Sequence, residues 1–378
     1  NQSTSQPVNQ STSQPVNQST NQPINQSTNQ PITHLPMSLS SHLLPLIEAE
    51  MQRIIAFAKA SQTAEMHHMI AYHMGWEGEG SGLKAQGKRI RPLLVLLSYG
   101  ASLPDTSHLT PDTWHIPLPA AASVEILHNF SLIHDDIQDN SPLRRGRPTV
   151  WKKWGIAQAI NAGDAEYTLA YTAMLELSKT TTPEITLEAV NILQQTCLHL
   201  TQGQYLDISF ETRSSVTLDE YWAMIGGKTA ALLAACTELG ALIAGADDTT
   251  RAGYREFGRF LGLAFQVQDD LLGIWGDTAL TGKSAESDLV AGKKSIPVLY
   301  GLQQTGPFAA RWAKGPVQEN EAGALAEQLE KEGAREYTQT MADALTGKAL
   351  QSLEAAHPRG EAGETLAALA NMLLKRQV

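Results

Sequence analysis

The chain has 378 residues, 42% hydrophobic and 18% charged, with a net charge of −11, ordinary values for a globular protein with a large core. The acidic balance argues against a nucleic-acid partner, which calls for a basic face, but not against an anionic substrate held by a local Lys/Arg cluster. The two cysteines, Cys197 and Cys236, exclude a disulfide framework or a zinc site made from them alone and fit a reducing cytoplasm.

Residues 1–32 repeat with period eight, NQSTSQPV twice and then NQSTNQPI twice, without one charged residue. Such a tract buries too little to offset its ordering entropy, so residues 1–36 are expected to be a disordered low-complexity segment. Met37 opens an amphipathic stretch and is the expected true start, the repeat being upstream sequence; a genuine disordered tail is the alternative. No secretory signal pattern precedes it.

From residue 38 the apolar spacing is helical. Ile126, Phe130, Ile133 and Ile137 share one face, as do Phe257, Leu261, Ala264, Gln268 and Leu271. The run from Ala230 to Gly245 is interrupted by Glu238 and is short for a membrane span, so it predicts a buried helix. Gly and Pro clusters mark loops at 75–87, 100–119, 140–148, 180–184, 211–217, 276–297 and 305–317. With no sustained alternation and no composition shift, residues 38–378 read as one large all-α domain.

Two acidic clusters stand in apolar helical contexts. In the first, Asp135, Asp136 and Asp139 place two carboxylates one turn apart on one face. Their mutual repulsion is best relieved by a bound cation, and an oxygen-only ligand set suits Mg²⁺ bridging to phosphate. The second has Asp269 and Asp270, with Gly273 at the next turn and Asp277 beyond; Asp277 returns to the face of Asp270 if the helix persists. A single Asp pair reads as a cap or a solvated turn, but two in apolar helices argue for a shared metal site. Compact basic groups complete the chemistry of a diphosphate site: GKRIRP at 87–92, Arg144-Arg145, Lys228-Thr229, Lys283 and Lys293-Lys294. Any single Lys among them also reads as a solvated surface residue. No P-loop is present.

These residues together resemble the trans-prenyl diphosphate synthase family, of the geranylgeranyl/farnesyl type, over about residues 38–378. The resemblance rests on an ordered set: GKRIRP, HNFSLIHDDIQD (128–139), RRG (144–146), GD (163–164), GQYLD (203–207), GGKTA (226–230), FQVQDDLLGIWGD (265–277) and TGKSAESDLVAGKKSIP (281–297). It implies a helical bundle of the isoprenoid synthase type with a central cavity. Asp135, Asp139 and Asp269 would bind Mg²⁺, three ions per site, with Asp136 and Asp270 in support and Lys228 in the catalytic set. Arg144, Lys228, Thr229, Gln266, Lys283 and Lys293 would contact the allylic diphosphate. Lys88, Arg91, His128 and Arg145 would hold isopentenyl diphosphate, although His128 alone also reads as a core histidine. Many family members carry an Asp where this chain has Gly273, which puts the second metal group in question. A homodimer is implied.

The implied reaction is ionisation, condensation and proton loss, the released diphosphate taking the proton. Phe130 and Ser131, one turn deeper than Asp135, would set product length; the arrangement resembles a geranylgeranyl (C20) synthase, with farnesyl (C15) as the alternative and plain core as the other reading of Phe130. A class I terpene cyclase would need no second diphosphate site, and a non-catalytic synthase subunit would be expected to lose metal ligands.

Overall fold

The computed structural model describes residues 39–105, 109–276 and 286–374. The repeat, Met37, Asp277 and Lys283 lie outside the described residues. Numbering helices of two turns or more in chain order, the fold comprises α1 (Leu39–Ile55), α2 (Ala64–His73), α3 (Ile90–Ser102), α4 (Leu118–Gln138), α5 (Ile156–Leu175), α6 (Pro183–Thr212), α7 (Leu218–Ile225), α8 (Ala231–Ile243), α9 (Asp248–Trp275), α10 (Ile296–Gln303), α11 (Glu319–Lys331), α12 (Ala334–Ala355) and α13 (Gly360–Leu374). Among the described residues the one sheet is a two-stranded antiparallel ribbon, β1 (Leu143–Arg144) paired with β2 (Arg147–Pro148). The all-α expectation is borne out.

Local sequence explains the helix starts. Pro183 opens α6 behind Thr182, whose hydroxyl accepts from the Ile185 amide. Thr217 and Glu220 form a capping box on α7, and Asp247 caps α9 through the Thr250 amide. The Ala230–Gly245 run becomes α8, buried along nearly its whole length. Each fully buried leucine there, such as Leu239, contributes ~1.5–3 kcal/mol relative to exposure. Gly240 lets α8 cross α3, since a Cβ there would stand 2.4 Å from the Val95 carbonyl oxygen. Ile126, Ile133, Phe257, Leu261, Ala264 and Leu271 are buried as their spacing predicted.

The expected loops need adjustment. Ser287–Val290 and Pro307–Trp312 are short helices inside the 276–297 and 305–317 segments. Helix α9 stops at Trp275, where Gly276 turns extended, so the register from Asp270 towards position 277 is broken. A second hydrophobic cluster, around Phe308, Leu325 and Leu329, packs under the end of α9 through Ile274 and Leu289.

Candidate active site

Helix α4 ends at the first acidic cluster. The Asp139 amide donates to the Asp135 carbonyl at 2.8 Å, so the one-turn spacing holds to the last residue. Asp135 is half-buried; burial pushes its carboxyl up to about 6, with Lys228 opposing and Asp139 adding to the shift. Asp136 faces inward, 2% exposed. Arg144 grips it, Nε lying 3.0 and 2.9 Å from its two oxygens. The two members of the pair therefore differ: Asp136 is tied to Arg144, while Asp135 is half-buried within the electrostatic reach of Lys228.

Lys228 and Thr229 sit on a π-helical turn, Gly226–Ala230, between α7 and α8, a geometry that recurs at functional sites. The turn crosses α6 at Gly203, where a Cβ would lie 2.1 Å from the Lys228 nitrogen. Only glycine permits that approach. Lys228 Nζ donates to Asp207 Oδ2. Thr229 Oγ1 donates to Gln266 Oε1 at 2.9 Å, and Gln266 Nε2 donates to Asp270 Oδ1 at 3.2 Å. This chain of contacts links the turn that carries Lys228 to the second acidic motif on α9.

In that motif Asp270 is 5% exposed. Its Oδ2 accepts from the Tyr221 hydroxyl at 2.7 Å and the Ile296 amide at 3.0 Å. Burial pushes its carboxyl up to about 6 against these donors. Asp269, beside it, is exposed. At Gly273 a Cβ would stand 2.2 Å from Asp288 Oδ2, and Asp288 is paired with Lys293 at 3.0 Å.

The basic residues assigned to a second diphosphate converge at the start of α3. His128 is held neutral, well below the usual imidazole range, first by burial and then by the charges of Arg91 and Arg145. Arg145 donates to the Ala85 carbonyl at 2.6 Å, and its guanidinium covers Gly87, where a Cβ would meet it at 2.6 Å. Burial lowers Arg91 too. Lys88 is exposed. Arg89, between them, has a structural role: buried and left-handed at φ 48°, it pairs with Glu48 at 2.6 Å and Glu125 at 3.1 Å.

Phe130 lies one turn and a half below Asp135, its ring 4.9 Å from His134 and 5.2 Å from Tyr167, which in turn packs on Tyr171 at 4.9 Å. Ser131 Oγ donates to the His128 carbonyl at 2.7 Å. A separate cavity of about 1190 Å³ lies between α6, α8, α9 and α12 behind Gly226 and Gly227; no predicted site residue lines it.

Sequence reasoning passed over Asp207, Tyr221 and Asp288. Two lie inside motifs quoted above, GQYLD and TGKSAESDLVAGKKSIP; the partner of Asp207, Lys228, is 21 residues away, while Asp288 pairs with Lys293 of its own motif. Among the described residues no three His, Cys, Asp or Glu side chains converge into a closed metal site. Mg²⁺ is commonly held by one or two carboxylates plus substrate phosphates. The crowded, oxygen-only set at Asp135 and Asp139, with burial opposing ionisation of Asp135, fits such an open arrangement.

The family model described as polyprenyl synthetase matches residues 81–329. A (2E,6E)-farnesyl diphosphate synthase from Mycobacterium bovis is 41% identical over 282 residues, covering 72% of this chain and 75% of the relative. A geranylgeranyl diphosphate synthase from Mycobacterium tuberculosis is 40% identical over 281 residues, covering 74% and 77%. Among solved structures, a polyprenyl synthetase from Streptomyces coelicolor superposes with a TM-score of 0.77 at 36% identity, covering 88% of this chain and 98% of its own.

Proposed function

Because the chain belongs to the polyprenyl synthetase family and is a trans-prenyl diphosphate synthase, a prenyltransferase, we propose that it condenses isopentenyl diphosphate with an allylic diphosphate to give geranylgeranyl diphosphate. One observation carries the site assignment. The turn bearing Lys228, whose charge reaches Asp135, is linked through Thr229 and Gln266 to Asp270. That link supports a reading in which the two acidic motifs share one cleft.

In this reading Asp135, Asp139 and Asp269 are the Mg²⁺ ligands, with Asp136 and Asp270 fixed behind them. When bound, the ions supply positive charge to the departing diphosphate. Lys228, Arg144, Thr229, Gln266 and Lys293 orient the allylic diphosphate, and Lys283 joins them from outside the described residues. Lys88, Arg91 and Arg145 hold the isopentenyl diphosphate, while neutral His128 offers an N–H without adding charge. The allylic C–O bond breaks with its electron pair on the leaving diphosphate. The isopentenyl double bond then forms the new C–C bond, and the released diphosphate takes the proton. Apolar walls exclude water from the cation.

Phe130 and Ser131 set the C20 limit. The near-equal identities to a farnesyl and a geranylgeranyl synthase keep a C15 product as the second reading. Apolar side chains left exposed on α5 and α6, including Ile156, Leu175, Leu187, Leu198 and Tyr205, support a homodimer through that face. Among the described residues no helix is long and apolar enough to cross a membrane, and the buried free cysteines support a reducing cytoplasm. Residues 38–378 are read as one domain.

The test is incubation of the purified chain with Mg²⁺, isopentenyl diphosphate and each allylic starter, followed by product sizing. A C20 product that requires isopentenyl diphosphate is expected. Turnover of an allylic substrate alone would indicate a cyclase, and no turnover a regulatory subunit.

A further inference from the structure

His73 is the last residue of α2, and the proposed function leaves it without a role. It is 8% exposed, and its Nε2 is buried with no hydrogen-bond partner among the described residues. An unpaired polar atom in the interior is costly, so an orphan of this kind calls for a reason. His73 lines a small cavity of about 20 Å³ together with Tyr72, Ala85, Thr149 and three arginines, Arg144, Arg145 and Arg147. That is room for one water molecule and no more.

The three arginines differ in how far their donors are already committed. Arg144 gives Nε and Nη2 to the Asp136 carboxylate. Arg147 gives Nε, Nη1 and Nη2 to the carbonyls of Glu79, Tyr72 and Glu77, and its guanidinium lies 3.9 Å over the Tyr72 ring. Among the described residues Arg145 gives a single hydrogen bond, from Nη1 to the Ala85 carbonyl at 2.6 Å. Arg145 and Gly146 form the two-residue loop of the ribbon, at φ 53° and 75°. That turn fixes the Arg145 backbone but not the direction of its long side chain. On the acceptor side, guanidinium groups offer nothing, and the hydroxyl protons of Thr149 and Tyr72 go to the carbonyls of Ser141 and Pro148. His73 Nε2 is thus left over as an acceptor and Arg145 as a donor. Burial, then the charges of Arg144, Arg145, Arg89 and Arg147, hold His73 well below the usual imidazole range, which leaves a ring nitrogen with a free lone pair.

We propose that His73 is a positioning residue for isopentenyl diphosphate: its Nε2 accepts from one water in this cavity, that water accepts from Arg145, and the guanidinium is thereby aimed at the diphosphate. The inference rests on the reading of Arg145 as an isopentenyl diphosphate ligand. His73 itself touches no substrate. A neutral imidazole suits the place, because a carboxylate would accept equally well but would offset the positive charge that a diphosphate requires.

The test is steady-state kinetics of the full chain, with KM measured separately for isopentenyl diphosphate and for the allylic substrate. His73→Leu keeps the bulk and loses the acceptor. It is expected to raise the KM for isopentenyl diphosphate about tenfold, the effect of one lost hydrogen bond to a charged group, while kcat and the allylic KM stay at wild-type values. His73→Gln, whose amide reaches the place of Nε2, is expected to restore the wild-type KM. If His73→Leu does not fold, His73→Met carries the test, being unbranched and able to fill irregular space. A wild-type KM for isopentenyl diphosphate in the apolar variant overturns the proposal. Equal rises for both substrates do the same, since they would mark a purely structural role, and so does a folded His73→Gln as impaired as His73→Leu. Arg145→Met separates the premise from the inference. If it leaves the KM for isopentenyl diphosphate unchanged, the reading of Arg145 fails. If it raises that KM, adding His73→Leu should raise it no further; a second rise of about tenfold would mean that His73 acts on another group, and would sink the inference alone.

Discussion

At the end of α4, Asp136 is clamped by Arg144 while Asp135 is half-buried with no such clamp from Arg144; towards the end of α9, Asp270 is wrapped by Tyr221, Gln266 and the Ile296 amide while Asp269 lies exposed. Both motifs thus divide their Asp pair in the same way, the first residue presented and the second anchored. They differ in what anchors them. The first relies on one arginine from the next ribbon, the second on a phenol and a backbone N–H from two other helices and an amide side chain one turn back on α9 itself. Burial raises Asp135 and Asp270 alike to about 6, so acidity alone does not separate the proposed ligand from the anchored residue. Their hydrogen bonds do.

The sharpest way to break this comparison is to remove one member from each class. Asp135→Asn is expected to lower kcat about a thousandfold, by loss of charge stabilisation at the leaving group, with little change in melting temperature. Steady-state kinetics and thermal unfolding check both halves. Asp270→Ala is expected to destabilise the fold by about 3 kcal/mol, because the Tyr221 hydroxyl and Ile296 amide lose their buried acceptor. Urea unfolding measures it, and an unaltered midpoint would remove Asp270 from the anchors. Phe130→Ala is expected to lengthen the product by about one isoprene unit, the gain being roughly one helical turn of depth; product sizing decides, and an unchanged distribution returns Phe130 to plain core. The smallest effect concerns Arg145: Arg145→Lys, which keeps the charge but loses the planar guanidinium fork, is expected to raise the KM for isopentenyl diphosphate about threefold while that for the allylic substrate does not change, as steady-state kinetics will check.

Much of this architecture was legible in the linear sequence because it depends on local spacing. The buried faces of α4 and α9, the single burial of α8, and the one-turn interval from Asp135 to Asp139 follow from helical periodicity. What could not be read depends on contacts between residues far apart in the chain. Tyr221 meets Asp270, Asp207 meets Lys228, and Asp288 enters the space at Gly273 only after α6, α7 and α9 have packed. The end of α9 at Trp275 has a local cause, the extended Gly276. Arg89 shows a further limit, since within GKRIRP nothing in composition separates the arginine that pairs with Glu48 and Glu125 from Lys88 and Arg91.

The π-helical turn at Gly226–Ala230 also constrains how this stretch can change over evolution. A wider turn carries one residue more than an α-helix would, and each residue advances a helix by about 100°. Deleting a single residue there would relax the turn and swing Thr229 away from Gln266, or α8 away from α3. Substitutions can be absorbed one side chain at a time, but a change of length cannot. Insertions and deletions should therefore be far rarer between Ile225 and Ala231 than in the surface loop around Gly78 and Gly80.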